Sequence, residues 1–141
     1  MRIPRGRSPF GTAPRGTLRH VSTPRIAWAH TTVDSCDAER AATFWGRLLD
    51  LEPIEREDGW YVLGPTAAGG PMLYFQPVSE PKTGKARVHI DLWVDDLPAA
   101  IRLVEEFGGH LTGDAHDVRS GTLAVMADPD GTEFCLITFP H

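Results

Sequence analysis

The residue types in this chain that could do chemistry gather in one stretch, Arg87-Val88-His89-Ile90-Asp91-Leu92-Trp93-Val94. Successive side chains of an extended strand point to opposite faces, so Val88, Ile90, Leu92 and Val94 share one face, while Arg87, His89, Asp91 and Trp93 share the other. The first reads as a core face. The second sets a cation, an imidazole, a carboxylate and an indole in one row, a combination able to grip a ligand. His89 and Asp91 are the candidate catalytic pair, because a carboxylate beside an imidazole fixes its tautomer and suits it to general acid or base work. Side chains at i and i+2 on a strand stand about 7 Å apart, so contact requires one of them to lean. The plainer reading of His89 is an imidazole hydrogen-bonded to its neighbours in a cup. The plainer reading of Asp91 is a salt bridge, to Arg87 or His89, that holds the cup wall.

The elements that must position this row follow from the hydrophobic pattern. Residues 26–33 predict a strand carrying Trp28, His30 and Thr32 on one face. Asp37 is a candidate N-cap for a helix over 38–49, where Ala41, Phe44, Trp45, Leu48 and Leu49 recur at helical spacing. Short strands at 54–57 and 60–63 flank the Asp58-Gly59 turn signal as a hairpin. A further strand at 72–76 sets Tyr74 and Gln76 opposite Leu73 and Phe75, and residues 78–86 form a connector containing Lys82-Thr83-Gly84-Lys85. The pattern then recurs. Residues 87–94 lead through Asp95-Asp96 into a helix over 97–107, with Pro98 tolerated in its first turn and Gly108-Gly109 ending it. Short strands at 110–111 and 117–119 precede better ones at 122–127 and 133–139, the last two joined by the turn Asp128-Pro129-Asp130-Gly131. The halves superpose at an offset of roughly sixty residues. His30 then corresponds to His89, and Tyr74 to Cys135.

At 141 residues the chain is one domain's worth, or two small fused modules. Its formal charge of −5 divides into +6 over residues 1–25 and −11 over the rest, and an acidic body argues against a nucleic-acid partner. No apolar run approaches a membrane span. Cys36 and Cys135 have neither CxxC spacing nor a disulfide framework, so a reducing cytoplasm is the expectation. Residues 1–24 are rich in Arg, Pro and Gly without a hydrophobic period and read as a disordered basic tail; the native start is expected near Val21. Ser/His/Asp arrangements, P-loops and GxGxxG are absent from the sequence.

Three segments in order carry a family likeness: Val33-Asp34-Ser35-Cys36-Asp37 leading to Phe44-Trp45 and Leu48-Leu49; Lys85-Ala86-Arg87-Val88-His89-Ile90-Asp91-Leu92 with Val94-Asp95-Asp96; and Ala127-Asp128-Pro129-Asp130-Gly131-Thr132-Glu133-Phe134-Cys135. Over residues 25–139 the chain resembles the vicinal oxygen chelate superfamily, the glyoxalase, bleomycin-resistance and dioxygenase fold, and within it the glyoxalase-like domain proteins. The resemblance implies an α+β fold of two βαβββ modules, about 25–78 and 86–139, forming a curled mixed sheet around a cup with the helices on its outer face. Metal-dependent members use one ligand on the first and one on the last strand of each module. The matching positions are His30, Tyr74, His89 and Cys135.

The two histidines fit that pattern and are the candidate metal ligands. The two carboxylates expected of a metal-dependent glyoxalase I are missing, so the resemblance does not extend to a typical glyoxalase I. Cys135 as thiolate would be a third ligand suited to zinc, but a single Cys on a core strand is usually a small hydrophobe. A divalent metal is therefore open but not favoured. The expected lining of the cup is Trp28, His30, Thr32, Trp60, Tyr74, Gln76, Arg87, Trp93 and Cys135, a rigid apolar wall with a few polar groups, as small-molecule pockets have. Two functions follow from the resemblance. One is an enzyme of lyase, isomerase or ring-opening type using His89 with Asp91, and with His30 as a further candidate, on a small polar or aromatic substrate. The other is a drug- or antibiotic-binding resistance protein whose cup holds a planar ligand without chemistry. A homodimer is expected by the same resemblance.

Overall fold

The computed structural model describes residues 23–65, 69–70, 72–118 and 121–138. The basic tail and the expected start near Val21 lie outside the described residues.

Helix α1, Ala38–Leu49, starts where the sequence places its cap: the Asp37 side chain accepts a hydrogen bond from the Arg40 amide at 3.0 Å. Its apolar face buries Ala41, Ala42, Phe44 and Trp45. Helix α2, Leu97–Glu106, is capped in the same way by Asp96, whose carboxylate accepts from the Ala99 amide at 2.9 Å. Both caps satisfy amides that the first turn leaves without an intrahelical partner.

The first half contributes β1 (Thr31–Ser35), β2 (Ile54–Glu55), β3 (Tyr61–Leu63) and β4 (Leu73–Pro77) in the sheet order β1-β4-β3-β2, with β1 parallel to β4. The second contributes β5 (Asp91–Val94), β6 (His110–Leu111), β7 (His116–Val118), β8 (Gly121–Ala127) and β9 (Glu133–Thr138) in the order β5-β9-β8-β6, with β7 also on β8 and β5 parallel to β9. The repeat is thus one of topology as well as sequence. The mixed α+β architecture agrees with expectation, in two sheets that do not close.

Residues paired directly across strands share a face. Leu63 and Leu73, and likewise Tyr61 and Phe75, turn one face of the first sheet toward α1. In the second sheet Ala124 and Leu136, and Met126 and Phe134, do the same toward the core. One cluster joins the halves. Trp45 and Phe44 of α1 meet Phe134 of β9 with ring centroids 4.8 and 6.0 Å apart. Burying each large ring contributes about 1.5–3 kcal/mol, so this junction is a main source of cohesion.

The Asp128-Pro129-Asp130-Gly131 turn reinforces it. The Asp128 carboxylate, fully buried, accepts from the Asp130 and Thr132 amides at 3.0 and 2.9 Å and from the Trp45 indole at 3.1 Å. Asp130 in turn accepts from Ser35 and pairs with Arg40 at 3.0 Å. A turn in the second half thereby grips the start of α1 in the first.

Two strand expectations need correction. Backbone pairing of the first strand starts at Thr31, not at residue 26, and Ile26 and Trp28 are 94% and 81% exposed. Alternation continues upstream, but β4, the strand that pairs β1, begins only at Leu73. Of the strand expected over 87–94, only Asp91–Val94 is paired; Val88, expected in the core, is 82% exposed, while Ile90, Leu92 and Val94 do pack on the core.

Candidate functional site

The pairing of β5 with β9 sets the site. The Cys135 amide donates to the Ile90 carbonyl at 2.9 Å, and Asp91 lies directly opposite Cys135 in the register. Their side chains therefore stand together on the sheet face turned away from Leu92 and Leu136. His89 precedes the paired segment, where no ladder fixes the backbone, and its ring leans onto the carboxylate: Nδ1 is 2.9 Å from Asp91 Oδ1. The Cys135 sulfur lies 3.9 Å from the same nitrogen. His89 and Asp91 are close to half exposed and Cys135 is buried. Burial, and then the charge and hydrogen bond of Asp91, push the Cys135 thiol up, with Lys85 opposing. The sulfur is accordingly a neutral thiol and a weak nucleophile. An ionised carboxylate only accepts, so Nδ1 carries the proton and the basic lone pair of His89 is on Nε2.

His30 belongs to another group. Its ring stacks on Tyr74 with centroids 3.8 Å apart and planes 21° from parallel. Thr32 pairs with Tyr74 in the register, so Thr32 and Tyr74 share that face, and the alternation along β4 places Gln76 there too. Trp28 stands out on the segment ahead of β1, Trp60 is half-buried at the end of the β2–β3 turn, Arg87 is exposed, and Trp93 is 53% exposed on the same side of β5 as Asp91.

The cavity that receives His89 is not walled by the expected aromatics Trp28, Trp60, Tyr74 and Trp93; among the described residues the one aromatic in its lining besides His89 is Trp45. It measures about 440 Å³ and lies between β1 and the connector, with Thr32, Asp34, Lys82, Lys85, His89 and Glu133 among its lining. The connector is fastened over it. Glu133, the first residue of β9, accepts from Lys82 at 3.0 Å and from the Ala86 amide at 3.1 Å, and the Lys82 contact holds its carboxyl below the usual range. Sequence reasoning passed over Lys82, Lys85 and Asp34. The lysines sit in a stretch read as a linker, and the only signal was their density around Gly84.

A glyoxalase-like domain model matches residues 30–137. The chain is a glyoxalase-like domain protein of the vicinal oxygen chelate superfamily. This glyoxalase-like protein is 30% identical over 114 residues to the lactoylglutathione lyase of Haemophilus influenzae, which covers 72% of this chain and 84% of that one. Its fold is similar to a glyoxalase/bleomycin resistance protein/dioxygenase family enzyme from Burkholderia phytofirmans PsJN, at a TM-score of 0.65 and 15% identity over 79% of this chain and 97% of the other. It is also similar to a genomically encoded fosfomycin resistance protein from Listeria monocytogenes, at a TM-score of 0.64 and 14% identity over 82% and 94%.

The four positions that align with the family's metal ligands do not fit a metal here. Position 74 offers a phenol stacked on His30, a poor metal ligand where the resemblance expects a carboxylate, and position 135 offers a thiol in place of the second carboxylate. The donor atoms that do converge among the described residues, within 4.8 Å of one another, belong to His89, Asp91 and Cys135, with His30 outside the group. There Asp91 already engages the imidazole nitrogen that Cys135 approaches. Among the described residues no helix is long and apolar enough to cross a membrane.

Proposed function

We propose that this glyoxalase-like protein is a small-molecule enzyme of the lyase or isomerase kind, in which His89 moves a proton at a substrate carbon. The observation that carries the reading is the 2.9 Å contact between His89 and Asp91 at a cavity of about 440 Å³, a size suited to a small metabolite. Nε2 of the neutral imidazole takes a proton from a carbon next to a carbonyl, and Asp91 stabilises the imidazolium that results. Return of the proton to the same or a neighbouring atom gives isomerisation; loss of a leaving group gives elimination. This departs from the lactoylglutathione lyases it is similar to, because no step needs the aligned ligand set.

The test is deuterium exchange. Small carbonyl compounds with acidic C–H bonds are incubated with the protein in deuterium oxide and followed by proton NMR. His89→Gln is expected to slow exchange by about 100-fold or more, as loss of a general base does, and Asp91→Asn by a smaller factor. Exchange that is undiminished in His89→Gln overturns the reading.

The second reading is a binding protein that sequesters a planar molecule. Trp93 beside Asp91 and the His30–Tyr74 stack favour it. Tryptophan quenching by such a ligand, with no exchange in any probe, would select this alternative. Either reading takes a small molecule as partner, not nucleic acid or membrane, in a cytoplasmic homodimer. The outer edges of β1 and β5, unpaired among the described residues, support the dimer.

A further inference from the structure

Proton abstraction beside a carbonyl creates negative charge on oxygen, and a site that accelerates it needs a positive charge placed to meet that oxygen. We propose that Lys85 is that group, and that the substrate is a small carbonyl compound carrying a carboxylate. The inference rests on His89 being the base.

Lys85 and His89 line the same cavity. The other lysine of the connector, Lys82, is engaged by Glu133 and by the Gly84 carbonyl. Lys85 forms no ion pair among the described residues. Its charge is nevertheless felt at the Cys135 sulfur, which lies against His89, so the ammonium stands within electrostatic range of the imidazole. The remaining charges on the cavity wall are acidic, Asp34 and Glu80, apart from Glu133, which Lys82 neutralises. One available cation among carboxylates suits a ligand with a single negative charge and disfavours a polyanion.

The reaction balances without a further reagent. The C–H electron pair becomes the carbon–carbon double bond of an enolate, the carbonyl π pair moves onto oxygen beside the Lys85 ammonium, and the proton resides on His89 Nε2 until it is returned. Sequence reasoning could not place Lys85 here, because the position of the connector is set by Glu133, far along the chain.

The probes are 2-oxobutyrate and its neutral analogue 2,3-pentanedione, with exchange of the methylene protons read by NMR and equilibrium binding of each read by tryptophan fluorescence. Wild type is expected to prefer the carboxylate in exchange by about tenfold or more. Lys85→Met should slow exchange of both probes, by about tenfold for the diketone through loss of the charge at the enolate oxygen and by about 100-fold in kcat/KM for 2-oxobutyrate, whose binding alone should weaken by about tenfold, while the denaturation midpoint stays unchanged. Lys85→Arg should restore part of the loss. Equal effects of Lys85→Met on both probes, or none on either, overturn the proposal, as does wild-type protein that neither binds nor exchanges 2-oxobutyrate. If exchange requires His89 but ignores Lys85, this inference alone fails. If exchange ignores His89, the parent reading fails.

Discussion

Asp128 accepts three hydrogen bonds in a place closed to water, and still its carboxyl is held above the ordinary range, because burial outweighs the indole and amide donors. The sign of its pH effect follows. A carboxyl raised in the folded state holds its proton more readily there than in the unfolded chain, so its contribution to stability is complete below the unfolded value and declines as pH rises through the folded one. Asp128→Asn should cost about 1–3 kcal/mol, because an amide presents a donor where one of those three donors must be received. Its penalty relative to wild type should be larger near about pH 4 than near about pH 7. Urea midpoints of both proteins at the two pH values check this; a penalty that grows with pH contradicts it. The residue scale also shows how far the site could be read. His89 and Asp91 were legible because their spacing alone puts them on one face, although the lean that joins them was not. Trp28 and Val88 were misread, because alternation says which face a residue shares and not whether a neighbour covers that face.

Among the elements, both helices start where local signals put them, since Asp37 and Asp96 cap their own first turns and need nothing distant. Strands depend on partners. Thr31 begins a strand because its amide reaches the Met72 carbonyl at 3.2 Å, a fact no pattern within 26–33 contains. The link from α2 to β6 gives a test at this scale. A Cβ at Gly109 would lie 2.7 Å from both the Ala127 carbonyl oxygen and Val104 Cγ1, and 3.1 Å from the Phe44 ring. Gly109→Ala should therefore destabilise by about 1–3 kcal/mol through overpacking, measured by chemical denaturation. A gain in stability would mean that α2 can move away from β8 at little cost.

For the molecule as a whole, the repeated topology was legible because each half repeats the same order of apolar periods and turn signals. The way the halves hold each other was not, because it depends on α1 of one reaching Phe134 and Asp128 of the other. That shared helix has a consequence for the chain's own history of assembly. A polypeptide severed between Gly84 and Lys85 should give two pieces that stay largely unstructured apart, since each lacks the aromatic surface that completes its interior. Mixed in equal amounts they should recover near-ultraviolet dichroism and a cooperative melt. Two pieces that each melted cooperatively alone would mean that the doubling of the motif produced tenants of one house able to live separately.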